Sequence, residues 1–284
     1  MGFLLLSISC AVVMAMLLKI SENAGMNSLL LITANYVSGS VVGWALIAAD
    51  GGTTFSATTL WLGIAGGFLW PLPFFILTRT IRALGVAIAA PLARFGMIVP
   101  ILFGLLFLGE GLSIVAFVGL MGAFAAILLI SPIDQQSVQR VDRQSLWLIP
   151  LMILMIGLAN LWINLFNTIA DSAETNLFFT LVFSFSTLFC LAIIYFQRVP
   201  FHRPTVQRGF IIGIANFFYT YFLLGALRAP IFQDSSAVVY TVLNVTYIVL
   251  VFAAGALIWR EAVTRRNVAG VGVAAVAMLL INFG

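Results

Sequence analysis

The 284-residue chain is too apolar to be a soluble globular protein: hydrophobic residues make up 63% and charged residues 8%, with a mean hydropathy of +1.17, whereas an ordinary soluble domain is about one quarter charged. This composition excludes the soluble enzyme classes. The net charge of +4 is explained by membrane topology rather than by a nucleic-acid partner, because the arginines are spread over connections that adjoin apolar segments.

Ten apolar stretches follow one another along the chain, and each can span a bilayer, since about 20 apolar residues cross roughly 30 Å of hydrocarbon. The first is predicted to be a retained helix rather than a cleaved secretory signal, because its first positive charge, Lys19, follows the apolar run. The sequence thus predicts an all-α integral membrane protein with ten transmembrane helices. Their predicted ranges are 2–18, 28–49, 58–78, 84–108, 112–130, 146–169, 175–196, 206–227, 235–259 and 267–283.

The basic residues lie almost entirely in alternate connections between these spans. Of the 13 Lys and Arg residues, Arg94 lies inside the fourth span, Arg228 lies in an even-numbered connection, and the other 11 lie in odd-numbered connections or, for Arg208, at the edge of the span that follows one. Short loops rich in Lys and Arg stay in the cytoplasm. We therefore predict a multi-pass protein of the cell inner (cytoplasmic) membrane with both termini extracytoplasmic. The 11 residues are Lys19, Arg79, Arg82, Arg140, Arg143, Arg198, Arg203, Arg208, Arg260, Arg265 and Arg266.

The longest polar connection, residues 131–145, lies near the middle of the chain and is predicted to be a cytoplasmic linker between two halves, 1–130 and 146–284. A shift of 151 residues superimposes identical residues of the two halves, and a shift of 150 superimposes Gly63 on Gly213. The halves are predicted to be repeats, although matches this sparse among Leu, Ala and Gly also arise by chance. The pairs at a shift of 151 include Leu92 with Leu243, Gly104 with Gly255, Glu110 with Glu261, Gly119 with Gly270 and Ala126 with Ala277.

The charges of equivalent connections indicate that the second repeat is inverted. A unit of five helices places its successor upside down in the bilayer, so that equivalent connections face opposite compartments. The connection around Glu110 has no Lys or Arg, whereas the connection around Glu261 has Arg260, Arg265 and Arg266. Two inverted five-helix repeats predict this asymmetry.

Both halves carry one pattern, Gly104-x5-Glu110-x8-Gly119 and Gly255-x5-Glu261-x8-Gly270. A helix that ends in a Gly-Glu or Arg-Glu step, followed by a Gly-bearing final helix, resembles the EamA unit of the drug/metabolite transporter superfamily, and the resemblance covers essentially the whole chain. It implies a basket of ten helices in two inverted bundles, with a central cavity lined by the first, third, fourth, sixth, eighth and ninth helices. Proteins of that superfamily usually have both termini in the cytoplasm. Either this chain is oppositely inserted or the span count differs by one, and we favour opposite insertion.

Arg94 is the most informative single residue, because it lies near the middle of the fourth span. A mid-helix Arg costs roughly 2.5 to 3.5 kcal/mol on insertion scales and faces protein or water rather than lipid. All nine acidic residues map to connections or span ends. Two interpretations remain open: the guanidinium is held by carbonyls, hydroxyls and water as a structural group, or it grips an anionic substrate group with paired hydrogen bonds.

Polar side chains recur at helical spacing in the sixth, eighth and ninth spans. Such side chains either join neighbouring helices or line a common cavity, and we predict that they bind substrate together with Arg94. Trp70 precedes two prolines in the third span, where a broken helix either marks a transport site or is a static kink. The predicted substrate-binding residues are Arg94, Trp70, Asn160, Asn164, Asn216, Tyr219, Tyr240, Asn244 and Tyr247. Asn35 and Ser38 of the second span are predicted to be packing residues.

The hypothesis with the widest support is a secondary transporter that moves a small polar or anionic metabolite, such as an amino acid or organic acid, by alternating access. A flippase for a lipid-linked headgroup and a non-transporting scaffold or receptor are the alternatives. A membrane-embedded enzyme would need a nucleophile, metal cluster or acid pair at mid-depth, and the sequence places none there. The predicted partners are a small-molecule substrate and the lipid bilayer, without nucleic acid, cofactor or metal, and the predicted oligomeric state is monomer or homodimer.

Overall fold

The structure is a computed structural model that describes residues 1–84, 86–131, 145–232, 236–260 and 263–283. Within these ranges the regular secondary structure is entirely helical. Most of the predicted linker, and Glu261, lie outside the described residues. The helices are α1 Gly2–Asn23, α2 Ser28–Ala49, α3 Ala57–Leu69, α4 Pro71–Leu84, α5 Val86–Ala93, α6 Ile98–Phe107, α7 Ile114–Ile130, α8 Leu148–Ile169, α9 Thr175–Gln197, α10 Arg203–Leu227, α11 Ser236–Ile258 and α12 Arg265–Phe283.

Seven helical segments in the described part of the chain are long and apolar enough to cross a membrane. They correspond to the first, second, third, sixth, seventh, eighth and ninth predicted spans. The third span consists of two consecutive helices, α3 and α4. Two shorter apolar helices, Pro91–Phe107 and Ile114–Ile130, coincide with the fourth and fifth predicted spans. The tenth is α12, a 19-residue helix. The chain is therefore a multi-pass helical membrane protein.

Side-chain caps explain where several helices begin. Asn27, Ser56 and Ser113 each accept a hydrogen bond from a backbone N–H of the first turn that follows, which satisfies one of the free donors at a helix start. At α12 the side chains of Thr264 and Asn267 cap each other's backbone N–H groups, as in a capping box. Because of this box, α12 begins at Arg265, before the predicted start at residue 267.

The described helices group into two compact units. Unit 1 contains Met1–Leu72 and Trp162–Ala226, and unit 2 contains Pro73–Leu161 and Leu227–Gly284. Each unit therefore draws on both halves of the chain. The grouping follows packing, whereas the predicted boundary at 131–145 concerns the repeat, so the two divisions describe different properties of the chain.

In unit 1, α9 is the central helix and packs against α2 and α3. The contact with α3 depends on Gly63 and Gly67, because a methyl group at either position would overlap Leu181 or Phe185 of α9. Small residues of this kind let membrane helices approach closely. The pair of glycines, four residues apart, forms a groove on α3 that accepts the side chains of α9.

A second close contact in unit 1 joins α10 to α2. Gly209 and Gly213 of α10 face the backbone of α2. A methyl group on Gly209 would overlap the carbonyl oxygen of Leu31, and one on Gly213 would overlap that of Asn35. Ser38 adds a hydrogen bond from its hydroxyl to the carbonyl oxygen of Phe210, at 2.6 Å. α2 is therefore held between α9 and α10 in unit 1.

In unit 2 the most extensive helix pairing is between α7 and α12. A Cβ on Gly119 would lie 2.7 Å from Ile281, and a Cβ on Gly270 would lie 2.8 Å from Ile130. Between these two contacts the helices bury a layer of alanines. Its members are Ala123, Ala126, Ala274 and Ala277.

Glu110 joins the connection after α6 to the start of α11. Gly109, two residues after the end of α6, is in the left-handed region, at φ +67°, where glycine avoids the steric cost of a side chain. Next to it, Oε2 of Glu110 accepts hydrogen bonds from the backbone N–H and the hydroxyl of Ser236, both at 2.8 Å. A carboxylate at a helix N-terminus is stabilised by free N–H groups and by the helix dipole.

We expect Glu110→Ala to lower the stability of the protein by about 1–2 kcal/mol, the usual effect of losing a helix cap with a favourable charge–dipole interaction. Glu110→Gln should lose less, because the amide oxygen still accepts hydrogen bonds. The measurement is thermal unfolding of the purified protein in detergent. Glu22→Ala, which removes an exposed acid near the end of α1, is the control, and an equal midpoint shift in the two alanine variants would contradict the capping role.

Candidate functional site

Arg94 lies in a tight turn that interrupts a helix. Residues Arg94–Met97 form a 3-10 turn between α5 and α6, with Pro91 inside α5 and Pro100 inside α6. Proline has no N–H, so Pro100 cannot donate the α-helical hydrogen bond to the carbonyl oxygen of Gly96. The sequence between the two prolines therefore tightens into 3-10 geometry, a conformation that often marks functional positions when it occurs inside a helix.

The turn is fixed on two sides by its neighbours in unit 2. Phe95 stacks on Phe124 of α7, with ring centroids 4.7 Å apart. On the other side Gly96 meets Gly157 of α8 so closely that a Cβ on Gly157 would lie 2.8 Å from the carbonyl oxygen of Gly96. The backbones of the turn and of α8 are thus in direct contact, and this contact sets the position of the Arg94 side chain.

The Arg94 guanidinium packs on an aromatic ring of α11. Its Cζ lies 3.8 Å from the centroid of the Tyr247 ring, a cation–π contact of the kind that stabilises by about 0.5–2 kcal/mol. Among the residues that the structure describes, no hydrogen bond or ion pair engages this half-buried guanidinium. A guanidinium has five N–H donors, so the side chain is anchored through its face while its donors are available to an acceptor.

Tyr240 and Asn244 support the helix that carries Tyr247. The Tyr240 hydroxyl donates to the carbonyl oxygen of Asn160 at 3.1 Å, which joins α11 to α8, and Nδ2 of Asn244 donates to the carbonyl oxygen of Tyr240 at 2.8 Å. Both side chains are buried. Within the described chain the Asn160 amide has no hydrogen-bond partner. Unit 2 thus brings five predicted site residues onto adjoining helices, with Arg94, Tyr247 and Asn160 offering polar groups for a ligand.

The other four predicted residues, Trp70, Asn164, Asn216 and Tyr219, belong to unit 1. Trp70 packs against the rings of Phe179 and Phe183, with centroids 6.2 Å and 5.7 Å away. The carbonyl oxygen of Tyr219 accepts a hydrogen bond from the hydroxyl of Ser7 at 3.0 Å.

Amide side chains also meet within unit 1. Nδ2 of Asn216 donates to Oδ1 of Asn35 at 3.1 Å, so Asn35, which the sequence suggested as a packing residue, is the partner of a predicted site residue. Three buried N–H groups of unit 1 have no hydrogen-bond partner among the described residues, and a buried donor without a partner costs about 1–3 kcal/mol. They belong to Asn35, Trp70 and Asn164.

Several residues that shape these sites carried no chemical signal in the sequence. Gly157 and Phe95 position the Arg94 turn, and Trp162 ties α8 to α3 by donating from Nε1 to the carbonyl oxygen of Leu62 at 2.8 Å. A glycine three residues before Asn160, inside an otherwise apolar helix, is the one available signal, because an interior glycine often marks a close helix approach.

Comparison with known proteins supports the fold. No protein-family model matches the chain. An uncharacterized protein of Haemophilus influenzae is 26% identical over an alignment that covers 94% of this chain and 93% of that protein. A protein of known crystal structure matches with a TM-score of 0.71 at 15% identity, over 99% of this chain and 98% of its own. At that identity the likeness concerns the fold alone.

Proposed function

We propose that this protein is a secondary transporter that moves a small polar or anionic metabolite across the cytoplasmic membrane by alternating access. The observation that carries the proposal is the guanidinium of Arg94, which lies on Tyr247 within a membrane helix and is free of hydrogen bonds and ion pairs to the described residues. An Arg in a span is costly and is typically retained for function. A bound carboxylate or similar group would supply the acceptors that the described residues do not.

Equivalent helix ends support the inverted repeat in this proposal. Leu108 donates its N–H to the carbonyl oxygen of Gly104 at 3.2 Å, and the equivalent residue Trp259 donates to Gly255 at 3.1 Å. The next position is left-handed in both halves, with φ +67° at Gly109 and +53° at Arg260. A left-handed conformation is unfavourable for arginine. Its recurrence 151 residues after a glycine supports a shared backbone template.

The packing of α7 on α12 supports a twofold relation between these helices. Gly119 contacts Ile281, and Gly270 contacts Ile130. In the numbering of the repeat, Gly270 is equivalent to Gly119 and Ile130 is equivalent to Ile281, so the two contacts are the same contact seen from either repeat. Reciprocal contacts of this type are the signature of a twofold axis. In unit 2 the final helices of the two proposed repeats thus pack as equivalent partners.

Unit 1 offers a parallel set of contacts. The α3 glycines contact α9 at two positions four residues apart, and the α10 glycines contact α2 at two positions four residues apart. The contacted positions on α2, residues 31 and 35, become the contacted positions on α9, residues 181 and 185, when 150 is added to their numbers. The glycine pairs on α3 and α10, residues 63 and 67 and residues 209 and 213, differ by 146. Gly67, rather than Gly63, is then the counterpart of Gly213, so the repeats differ by several residues between their second and third helices.

Membership of the drug/metabolite transporter superfamily, the ten-span count, and extracytoplasmic termini belong to the same proposal. The sequence pattern around Glu110 and Gly119 supports the first, and the one-sided distribution of arginine supports the last. Reporter enzymes that are active in only one compartment, fused to the C-terminus, test the orientation. Activity of a cytoplasmic reporter would contradict extracytoplasmic termini.

The proposed function is tested by a thermal-unfolding screen of the purified protein against organic acids, amino acids, sugars and phosphorylated metabolites. A ligand that binds only the folded state stabilises it and so raises the unfolding midpoint. At a ligand concentration a hundred times the Kd, the stabilisation is about 2.7 kcal/mol. We expect anionic solutes to stabilise the protein and neutral sugars of similar size to have no effect. Stabilisation by lipid-linked headgroups alone would favour a flippase, and an unresponsive protein would favour a scaffold or receptor.

A further inference from the structure

We infer that the solute bound at Arg94 is a monoanion with a single carboxylate, and that zwitterionic amino acids and dianions bind poorly at this site. The inference rests on the proposed function and narrows its substrate class. It follows from the number and arrangement of charges in the described part of unit 2 rather than from the shape of a cavity.

Arg94 offers one positive charge well inside the helical segments of unit 2. The other cationic side chains in the described part of this unit lie toward or beyond helix ends. They are Arg79, Arg82, Arg228, Arg260, Arg265 and Arg266. A monoanion bound at Arg94 would form a neutral pair. A dianion would leave one negative charge unpaired in a medium of low dielectric, where an uncompensated ion is strongly unfavourable.

Among the described residues of unit 2, none is suited to bind an ammonium at this site. Glu110 is the acid in the described part of unit 2, and its Oε2 is already bonded to the N–H and hydroxyl of Ser236 at the start of α11. The face of Tyr247 that could attract a cation is covered by Arg94. The amide of Asn160 could offer an oxygen, but an amide oxygen does not compensate for removing an ammonium from water.

The form of the anion follows from the contact geometry. Because the guanidinium is held by its face against Tyr247, its N–H groups remain free to form the paired, parallel hydrogen bonds that a planar carboxylate accepts. A carboxylate therefore matches both the charge and the donor arrangement of Arg94.

Two matched sets of ligands test the inference. The small set is propionate, alanine and methylmalonate, and the large set is 3-phenylpropionate, phenylalanine and benzylmalonate, so that within each set the members differ by one added ammonium or carboxylate. Dissociation constants are obtained from the concentration dependence of the unfolding midpoint, at constant ionic strength because salt screens charge interactions. In at least one set we expect the monoanion to bind about tenfold or more tightly than its two companions, and Arg94→Gln to lose this binding.

The possible failures are distinguishable. If in every set that binds, the zwitterion or the dianion binds as tightly as its matched monoanion, and Arg94→Gln abolishes that binding, the monoanion inference is wrong while the proposed anion site stands. If all six ligands leave the wild-type protein unaffected, or act equally on the wild type and Arg94→Gln, then Arg94 is not a solute site. That result would overturn the proposed function together with the inference.

Discussion

The Arg94→Gln protein is expected to fold at least as well as the wild type and to lose the binding of anionic solutes. Glutamine removes a charge that costs roughly 2.5 to 3.5 kcal/mol in the middle of a span, so the unliganded unfolding midpoint should be unchanged or raised. Removing one partner of a desolvated, hydrogen-bonded charge pair weakens binding by about 2–5 kcal/mol. A purely structural Arg94 predicts the opposite, a lowered midpoint with ligand binding retained.

Two further variants separate charge from geometry at this position. Arg94→Lys keeps the charge but loses the planar fork, so we expect affinity to fall by about 1–2 kcal/mol, a factor of roughly 5 to 30. Tyr247→Phe keeps the ring face and should bind nearly as well as the wild type, whereas Tyr247→Leu removes the cation–π contact, worth about 0.5–2 kcal/mol. Equal affinities for Tyr247→Leu and Tyr247→Phe would show that the aromatic face does not hold the guanidinium.

The second large effect is expected where α7 packs against α12. Gly119→Val and Gly270→Val each place a branched side chain against a backbone atom of the partner helix at 3.0 Å or less from the new Cβ. Overpacking of this kind costs typically 1–3 kcal/mol, and more where backbone must move. Because the two glycines occupy reciprocal positions, we expect the unfolding midpoints of the two variant proteins to fall by similar amounts.

Gly272→Val is the matched control for these two variants. It lies on α12 two residues after Gly270, and a Cβ there would meet nothing within 4 Å, so its unfolding midpoint should stay near that of the wild type. A midpoint for Gly272→Val as low as that of Gly270→Val would attribute the loss to helix propensity rather than to packing. A strong loss at Gly119 with none at Gly270 would contradict the reciprocal contact.

The sequence predicts the positions of the helices well, because apolar runs of the required length are a property of composition alone. It also identifies Arg94, since a cation inside a span conflicts with its surroundings. It does not predict that α12 begins at Arg265, which depends on the capping pair of Thr264 and Asn267. The predicted start at residue 267 follows the apolar run, whereas the observed start at Arg265 is set by local hydrogen bonding.

The composition of the candidate site is harder to predict, because helix spacing assigns residues to a face without saying which helix that face meets. Tyr240, Asn244 and Tyr247 share a spacing pattern, yet the first two support their helix through hydrogen bonds and only Tyr247 contacts Arg94. The grouping of Arg94 and Tyr247 in unit 2, and of Trp70 and Asn216 in unit 1, depends on tertiary packing. Gly157 and Phe95 act through shape alone and have no recognisable chemistry.

Solute exchange across proteoliposomes is the most direct test of the central claim, that Arg94 binds the anionic group of a transported solute. Vesicles with the wild-type protein, loaded with an unlabelled monocarboxylate that stabilises it, should accumulate the same labelled compound from outside, with saturable kinetics. Vesicles with equal amounts of folded Arg94→Gln should show the leak of protein-free vesicles. Exchange by Arg94→Gln at the wild-type rate, or its absence in the wild type for every stabilising ligand, would contradict the account.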